Sequence, residues 1–231
     1  MNIYGLNKTT LLDYPGRVAS TVFTGRCNFL CPFCHNSDLV LHPDAFPLIT
    51  EEEVFNHLTK RHNVLTGVCI TGGEPTLQED LIPFIRRIKE IGYAVKLDTN
   101  GYNPNILQTI VDEKIIDYIA MDIKAGFTHY AKATGVANIN MQLIKRSVDI
   151  MSTSGLEHEF RTTVVKGIHT ESDFEEIATI LPSDSNYYLQ SFKYNDCITD
   201  KSLDSFSREE LEHFADIVRT KISNVSLRGV D

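Results

Sequence analysis

The spacing of apolar residues along this chain switches back and forth between two periods. Short runs that are apolar or β-branched at nearly every position alternate with longer stretches in which apolar residues return every three or four positions. Arg17 to Thr24 (RVASTVFT), Gly67 to Thr71 (GVCIT), Tyr93 to Leu97, Ile116 to Ile123, His158 to Val165 and Tyr187 to Phe192 have the first character and are expected to be strands. The second character marks helices. Thr50 with Glu53 forms a capping box for a helix through about His62, and Thr170 with Asp173 opens one through Leu181. Ser207 with Glu210 opens the last long helix, to about Ile222. Thr76 with Glu79 is expected to cap a helix whose apolar face is Leu81, Phe84, Ile85 and Ile88. Further helices are expected from about Pro104 to Glu113 and from Asn140 to Ser154. The pattern makes six β/α units in strict alternation, hence an α/β fold with a parallel sheet and right-handed crossovers. Periodicity does not separate a doubly wound sheet from a closed or partial barrel.

In either architecture the site forms where the strands end, and the unusual residues of this chain gather there. Cys27, Cys31 and Cys34 follow the first strand, Gly72, Gly73 and Glu74 the second, and Asp98, Thr99 and Asn100 the third. Asp122 and Lys124 end the fourth. The two glycines permit close approach to the main chain, and Glu74 offers a carboxylate for an ammonium group. Asp98, Thr99 and Asn100 are also ordinary capping and turn residues. Strand alternation puts Asp122 and Lys124 on one face, where buried charges need partners. These are each other, or a ligand carrying charge and hydroxyls. Arg161 on the fifth strand raises the same question, and His169 just beyond it is expected at the site rim or on a surface loop.

The cysteines decide which chemistry to consider. Cys27, Cys31 and Cys34 stand as C-x3-C-x2-C, three thiolates that can hold three corners of a [4Fe–4S] cube and leave one iron for a small molecule. Clusters that only carry electrons normally use four. Zinc held by these cysteines and His35 is a rival, as are a c-type haem on Cys31-Pro32-Phe33-Cys34-His35 and a disulfide. Cys69, in an apolar run, reads as a buried inert thiol. Cys197 is left without a role.

Size and charge narrow the class. The 231 residues, 42% hydrophobic, suit a single domain, with a core over about 17–195 and a C-terminal helix and tail over about 196–231. A formal net charge of −9 argues against nucleic-acid binding. The opening MNIYGLNKTTLLDYPG has no apolar core of a signal peptide, and no apolar stretch approaches a membrane span. The expected location is therefore a reducing cytoplasm, with thiolates available for metal.

Taken together, LLDYPGRVASTVFTGRCNFLCPFCHN, TGGEPTLQ, KLDTNGYNP, DYIAMDIKA and FRTTVV resemble the radical S-adenosylmethionine (SAM) superfamily. Within it they resemble the glycyl-radical-enzyme activases, and most of all those of anaerobic ribonucleoside-triphosphate reductase. The resemblance covers about residues 4–195 and implies a partial (β/α)6 barrel. It implies that Cys27, Cys31 and Cys34 ligate one [4Fe–4S] cluster whose open iron binds the methionine part of SAM. It implies further that Phe33 lies against the adenine, that Gly72, Gly73 and Glu74 contact the methionine ammonium, and that Asp122 and Lys124 contact the ribose and carboxylate side. Arg161 and His169 are expected among the SAM contacts, and Asp98, Thr99 and Asp122 are expected around a monovalent cation. The implied enzyme is an oxidoreductase that takes an electron from flavodoxin or ferredoxin, cleaves SAM reductively and abstracts a glycine Cα hydrogen from a partner enzyme. A pyruvate formate-lyase-type activase, a small-molecule enzyme of the 7-carboxy-7-deazaguanine synthase type and a zinc-stabilised binding module are the alternatives.

Overall fold

Runs that are apolar on both faces become parallel strands, because a strand covered on both sides has no polar face. In the computed structural model, which describes residues 1–230, the chain forms two compact units. The first comprises Met1–Asn28, Asn36–Thr99 and Asn103–Ile119; the second comprises Phe29–His35, Asn100–Tyr102 and residues 120–230.

The first unit contains β1 (Ile3–Thr10), β2 (Ala19–Thr24), α1 (Ser37–Leu41), α2 (Glu51–Lys60), β3 (Gly67–Gly72), α3 (Leu81–Glu90), β4 (Ala94–Thr99) and α4 (Pro104–Asp112). Strand β5 (Tyr118–Asp122) leads into the second unit. There follow α5 (Tyr130–Thr134), α6 (Met141–Thr153), β6 (Glu157–Lys166), α7 (Glu171–Ile180), β7 (Asn186–Ser191), β8 (Asp204–Ser205), α8 (Arg208–Arg219) and β9 (Asn224–Arg228). The pairs β2–β3 and β3–β4 are parallel, as are β6–β7 and β7–β9. Among the described strands β1 pairs with β2 and β9 with β7, and the two do not pair with each other, so the sheet is not closed. No helix among them is long and apolar enough to cross a membrane.

The capping boxes at Thr50, Thr170 and Ser207 are all formed. Some local readings differ. Thr76 does not cap α3; it lies in a 3-10 turn, Pro75–Leu77, and its N–H and hydroxyl both donate to Glu74. Three strands lie outside the expected alternation. Strand β1 pairs antiparallel with β2, the two-residue β8 pairs antiparallel with β6, and β9 forms within the expected helical tail.

The first sixteen residues finish the lower end of the first unit. Beyond β1 the chain turns, and Tyr14 is buried beside Ala19 and Ala94, the first residues of β2 and β4. The Tyr14 ring packs at 5.9 Å on that of Tyr118, and the Arg17 guanidinium lies 5.4 Å from its centroid. This plug covers the strand starts, whereas Cys27 follows the end of β2. Tyr14→Ala should therefore cost about 3 kcal/mol in urea denaturation, as other buried aromatic truncations do. Leu12→Ala, at a side chain 91% exposed, should change stability by less than about 0.5 kcal/mol.

Candidate active site

In the first unit β2, β3 and β4 run parallel, so their C-terminal ends share one edge. Thr24 stands opposite Gly72 there. The turn after β3 closes onto the chain leading to Cys27. Gly73 N–H donates to Thr24 O and Glu74 N–H to Arg26 O, each at 2.8 Å. A Cβ on Gly72 would lie 2.4 Å from Thr24 N and O, and one on Gly73 would lie 1.9 Å from Arg26 O. The two glycines are thus required by the neighbouring backbone, a stricter reason than access for a ligand. Arg26 itself has a φ of +65°, in the region that glycine prefers. Its N–H donates to Leu39 O at 2.9 Å.

Glu74 is 1% exposed, and its Oε1 accepts from Thr76 N (3.1 Å), Thr76 Oγ1 (2.6 Å) and Thr99 Oγ1 (2.8 Å). These bonds tie the end of β3 to the end of β4. Asn36 Nδ2 donates to Gly72 O at 2.9 Å. Asp98 is not a helix cap: its carboxylate pairs with the ammonium of Lys96. The N-cap of α4 is Asn103, and Asn100 makes a local turn by accepting from Tyr102 N–H at 3.0 Å. Neither Lys96 nor Asn36 was expected from the sequence.

In the second unit Asp122 lies between two cations. Lys124 Nζ donates to its Oδ2 at 2.8 Å and Arg161 Nε to its Oδ1 at 2.5 Å. Burial alone would raise the Asp122 pKa, but Arg161 and Lys124 together hold it well below the usual carboxylate range. Burial likewise works against the Lys124 charge, and Asp122, followed by Cys31, outweighs it and holds the ammonium protonated. The charges continue in alternating sign across the sheet. Arg161 approaches Glu159 at 3.9 Å, and Glu159 takes a two-pronged pair from Arg228 at 2.8 and 2.7 Å. Arg228 in turn lies 3.4 Å from the Tyr188 ring centroid.

Cys31 and Cys34 belong to this unit and Cys27 to the first. Cys34 N–H donates to Cys31 O at 3.1 Å. Burial pushes the Cys31 thiol up to about 11, while Lys124 pulls it down. Within either unit, among the described residues, no three His, Cys, Asp or Glu side chains gather at metal-holding spacing. The donor chemistry nevertheless fits an iron–sulfur cluster: three soft sulfurs lie within eight residues of chain, and an ammonium interacts with the charges of two of them. Metal takes the place of the thiol proton, so burial is no obstacle.

Two expected ligand contacts are buried. Phe33 is 5% exposed, in a core cluster with Ala125, Val165, Ile168 and Phe192, so its ring anchors the cysteine loop. His169 is neither on a surface loop nor on an open rim. It is buried, its Nδ1 accepting from Val165 N–H at 3.0 Å and its Nε2 facing Lys124 O at 2.8 Å. With Nδ1 as acceptor, Nε2 carries the proton and donates to Lys124. His35, the rival zinc ligand, bonds through Nε2 to Lys193 O at 2.7 Å and stacks on Phe192.

The sequence profile of the radical SAM superfamily matches residues 21–181. A Methanocaldococcus jannaschii protein named as a candidate glycyl-radical enzyme activating enzyme is 31% identical over 235 residues, which is 99% of this chain and 96% of the relative. The crystal structure of Streptococcus suis SuiB bound to S-adenosylmethionine superposes with a TM-score of 0.69 at 14% identity, covering 89% of this chain and 49% of SuiB. Escherichia coli QueE gives 0.59 at 17% identity, covering 98% of this chain and 93% of QueE. At such identities the two structures speak for the fold.

Two outcomes follow from this geometry. Gly73→Ala should lower both the urea midpoint and the iron content after reconstitution, whereas Arg26→Gly should raise stability by about 1 kcal/mol by relieving the positive φ. Burial also depresses the His169 pKa. The unfolded chain therefore binds the extra proton first, and stability should fall as pH drops below about 6.5. His169→Gln should flatten that fall in melts between pH 7.5 and 5.5 (about the range in which an ordinary histidine titrates).

Proposed function

Because the chain belongs to the radical SAM superfamily, we propose that it activates a glycyl radical enzyme, with anaerobic ribonucleoside-triphosphate reductase as the partner. One observation carries the reading of the site: Asp122 holds the Lys124 ammonium at 2.8 Å in the same unit as Cys31 and Cys34, and that charge pulls the Cys31 thiol down against burial. Relatedness over nearly the full length to a protein named for glycyl-radical activation supports the partner class. The resemblance of KLDTNGYNP and DYIAMDIKA to the reductase activases supports the choice of partner.

In this reading Cys27, Cys31 and Cys34 hold a [4Fe–4S] cluster. Bound there, the cluster and SAM supply one-electron cleavage of the sulfonium and a carbon radical able to take a hydrogen atom from a glycine Cα. The chain supplies charge and order. Lys124 offsets the thiolate charge and offers a cation to the SAM carboxylate. Asp122, its ionised form enforced by two cations, accepts from ribose hydroxyls. Glu74, kept in place by Thr76 and Thr99, faces the methionine ammonium. Phe33 and His169 work from behind, one anchoring the cysteine loop and the other holding the Lys124 carbonyl. Flavodoxin or ferredoxin supplies the electron. An acidic protein suits a substrate that is a protein loop better than one that is nucleic acid.

Anaerobic reconstitution with iron and sulfide, followed by reduction, should give a [4Fe–4S] EPR signal that changes on adding SAM. Any one of Cys27→Ala, Cys31→Ala or Cys34→Ala should abolish it. With the reduced protein and SAM, anaerobic reductase should gain a glycyl-radical doublet that pyruvate formate-lyase does not. Bound zinc in place of iron, or a cluster indifferent to SAM, would sink the proposal. A doublet on pyruvate formate-lyase alone would reassign the partner.

A further inference from the structure

Lys96 is among the largest fully buried side chains of the protein, 2% exposed in the middle of β4. Register puts it beside Cys69 of β3, which stands beside Thr21 of β2. A buried lysine is costly unless it is paired. This one is enclosed by Cys69 Sγ at 3.9 Å and the Tyr118 ring at 5.9 Å from its centroid, and its ammonium pairs with Asp98. Alternation explains the reach, since residues i and i+2 share a face and the four-carbon stem spans one pleat. Asp98 is 13% exposed, and its neighbour Thr99 bonds Glu74.

A carboxylate so enclosed at a strand end is costly to keep ionised, and a cation beside it offsets that cost. That cation can come from solution or from the chain. We propose that Lys96 is a positioning residue, an internal cation that keeps Asp98 charged and oriented and takes the place of a bound monovalent metal ion there. The monovalent cation suggested by resemblance beside Asp98 and Thr99 is then unnecessary in this protein. Removing the charge while keeping the stem, as in Lys96→Met, takes the cation from that carboxylate, and a sodium or potassium ion is the simplest group to restore a positive charge there. The variant therefore gains a response to cations, which general damage to the core would not produce. Only the placement of Asp98 near SAM rests on the proposed function. The cation response does not, so the two readings fail separately.

The full chain would be melted in sodium, potassium or choline chloride at matched ionic strength, with sodium-23 line widths as a direct measure of binding. Wild type should melt at one temperature in all three salts and leave the sodium line narrow. Lys96→Met should melt about 10 °C lower in choline and recover at least half of that loss, saturably, in sodium or potassium. Lys96→Met with Asp98→Asn should show no recovery, and Lys96→Arg should behave as wild type. Lys96→Gln is the second variant should the methionine form not fold. The proposal is overturned by equal melting of the charge-free variants in all three salts. It is also overturned by sodium broadening in wild type that Asp98→Asn removes, because Asp98 would then bind a metal cation despite Lys96.

Discussion

Asp122 is fixed by Lys124 on one oxygen and Arg161 on the other, and most of the second unit's site follows from that arrangement. A carboxylate with two cations cannot take up a proton near neutral pH. An ammonium bound to such a carboxylate stays charged, and it acts on the cysteines of the loop. The surrounding side chains serve the same end. His169 donates a hydrogen bond to the Lys124 carbonyl, and Glu159 with Arg228 extends the alternation of charge so that Arg161 also has a counterion. The strand ends can be this polar because each charge has been answered by the opposite one.

The first unit meets the same demand by crowding. Its turn after β3 lies so close to the segment before Cys27 that neither Gly72 nor Gly73 has room for a Cβ. Backbone hydrogen bonds then fix the lead-in to Cys27. The Thr76 and Thr99 bonds to Glu74 hold its carboxylate in place. Asp98, one residue from Thr99, is held by Lys96 from within the sheet. Both units thus prepare acceptors whose orientation does not wait for a ligand, which is the property a site for a charged cofactor needs.

The sequence could be read furthest where the rule was local and weakest where burial decided. The alternation argument placed Asp122 and Lys124 on one face, and the mutual pair, one of the two outcomes it left open, forms. The same argument applies to Lys96 and Asp98 in AVKLD, and a lysine inside an otherwise apolar strand was the signal to follow. Arg161 has no such local sign, because its partner lies on another strand. The burial of His169 and Phe33 has no local sign either, because the residues that cover them lie far away in sequence. Strand β1 reads as a polar lead-in until β2 supplies its hydrogen bonds, and β9 is too short and mixed to stand out before β7 offers an edge.

What the sequence determined alone were periods and spacings: six β/α units, three capping boxes, cysteines at C-x3-C-x2-C and glycines before Glu74. These depend on residues a few positions apart, and the chain's own geometry connects them. The tertiary structure decided which charges meet, which rings are buried and why the glycines are needed. Those outcomes depend on desolvation, and how far a group is removed from water is set by strands and helices distant in sequence. Lys96 shows the division. Its place on the face of Asp98 is written in the chain, while its need for that carboxylate arises only once the fold buries it.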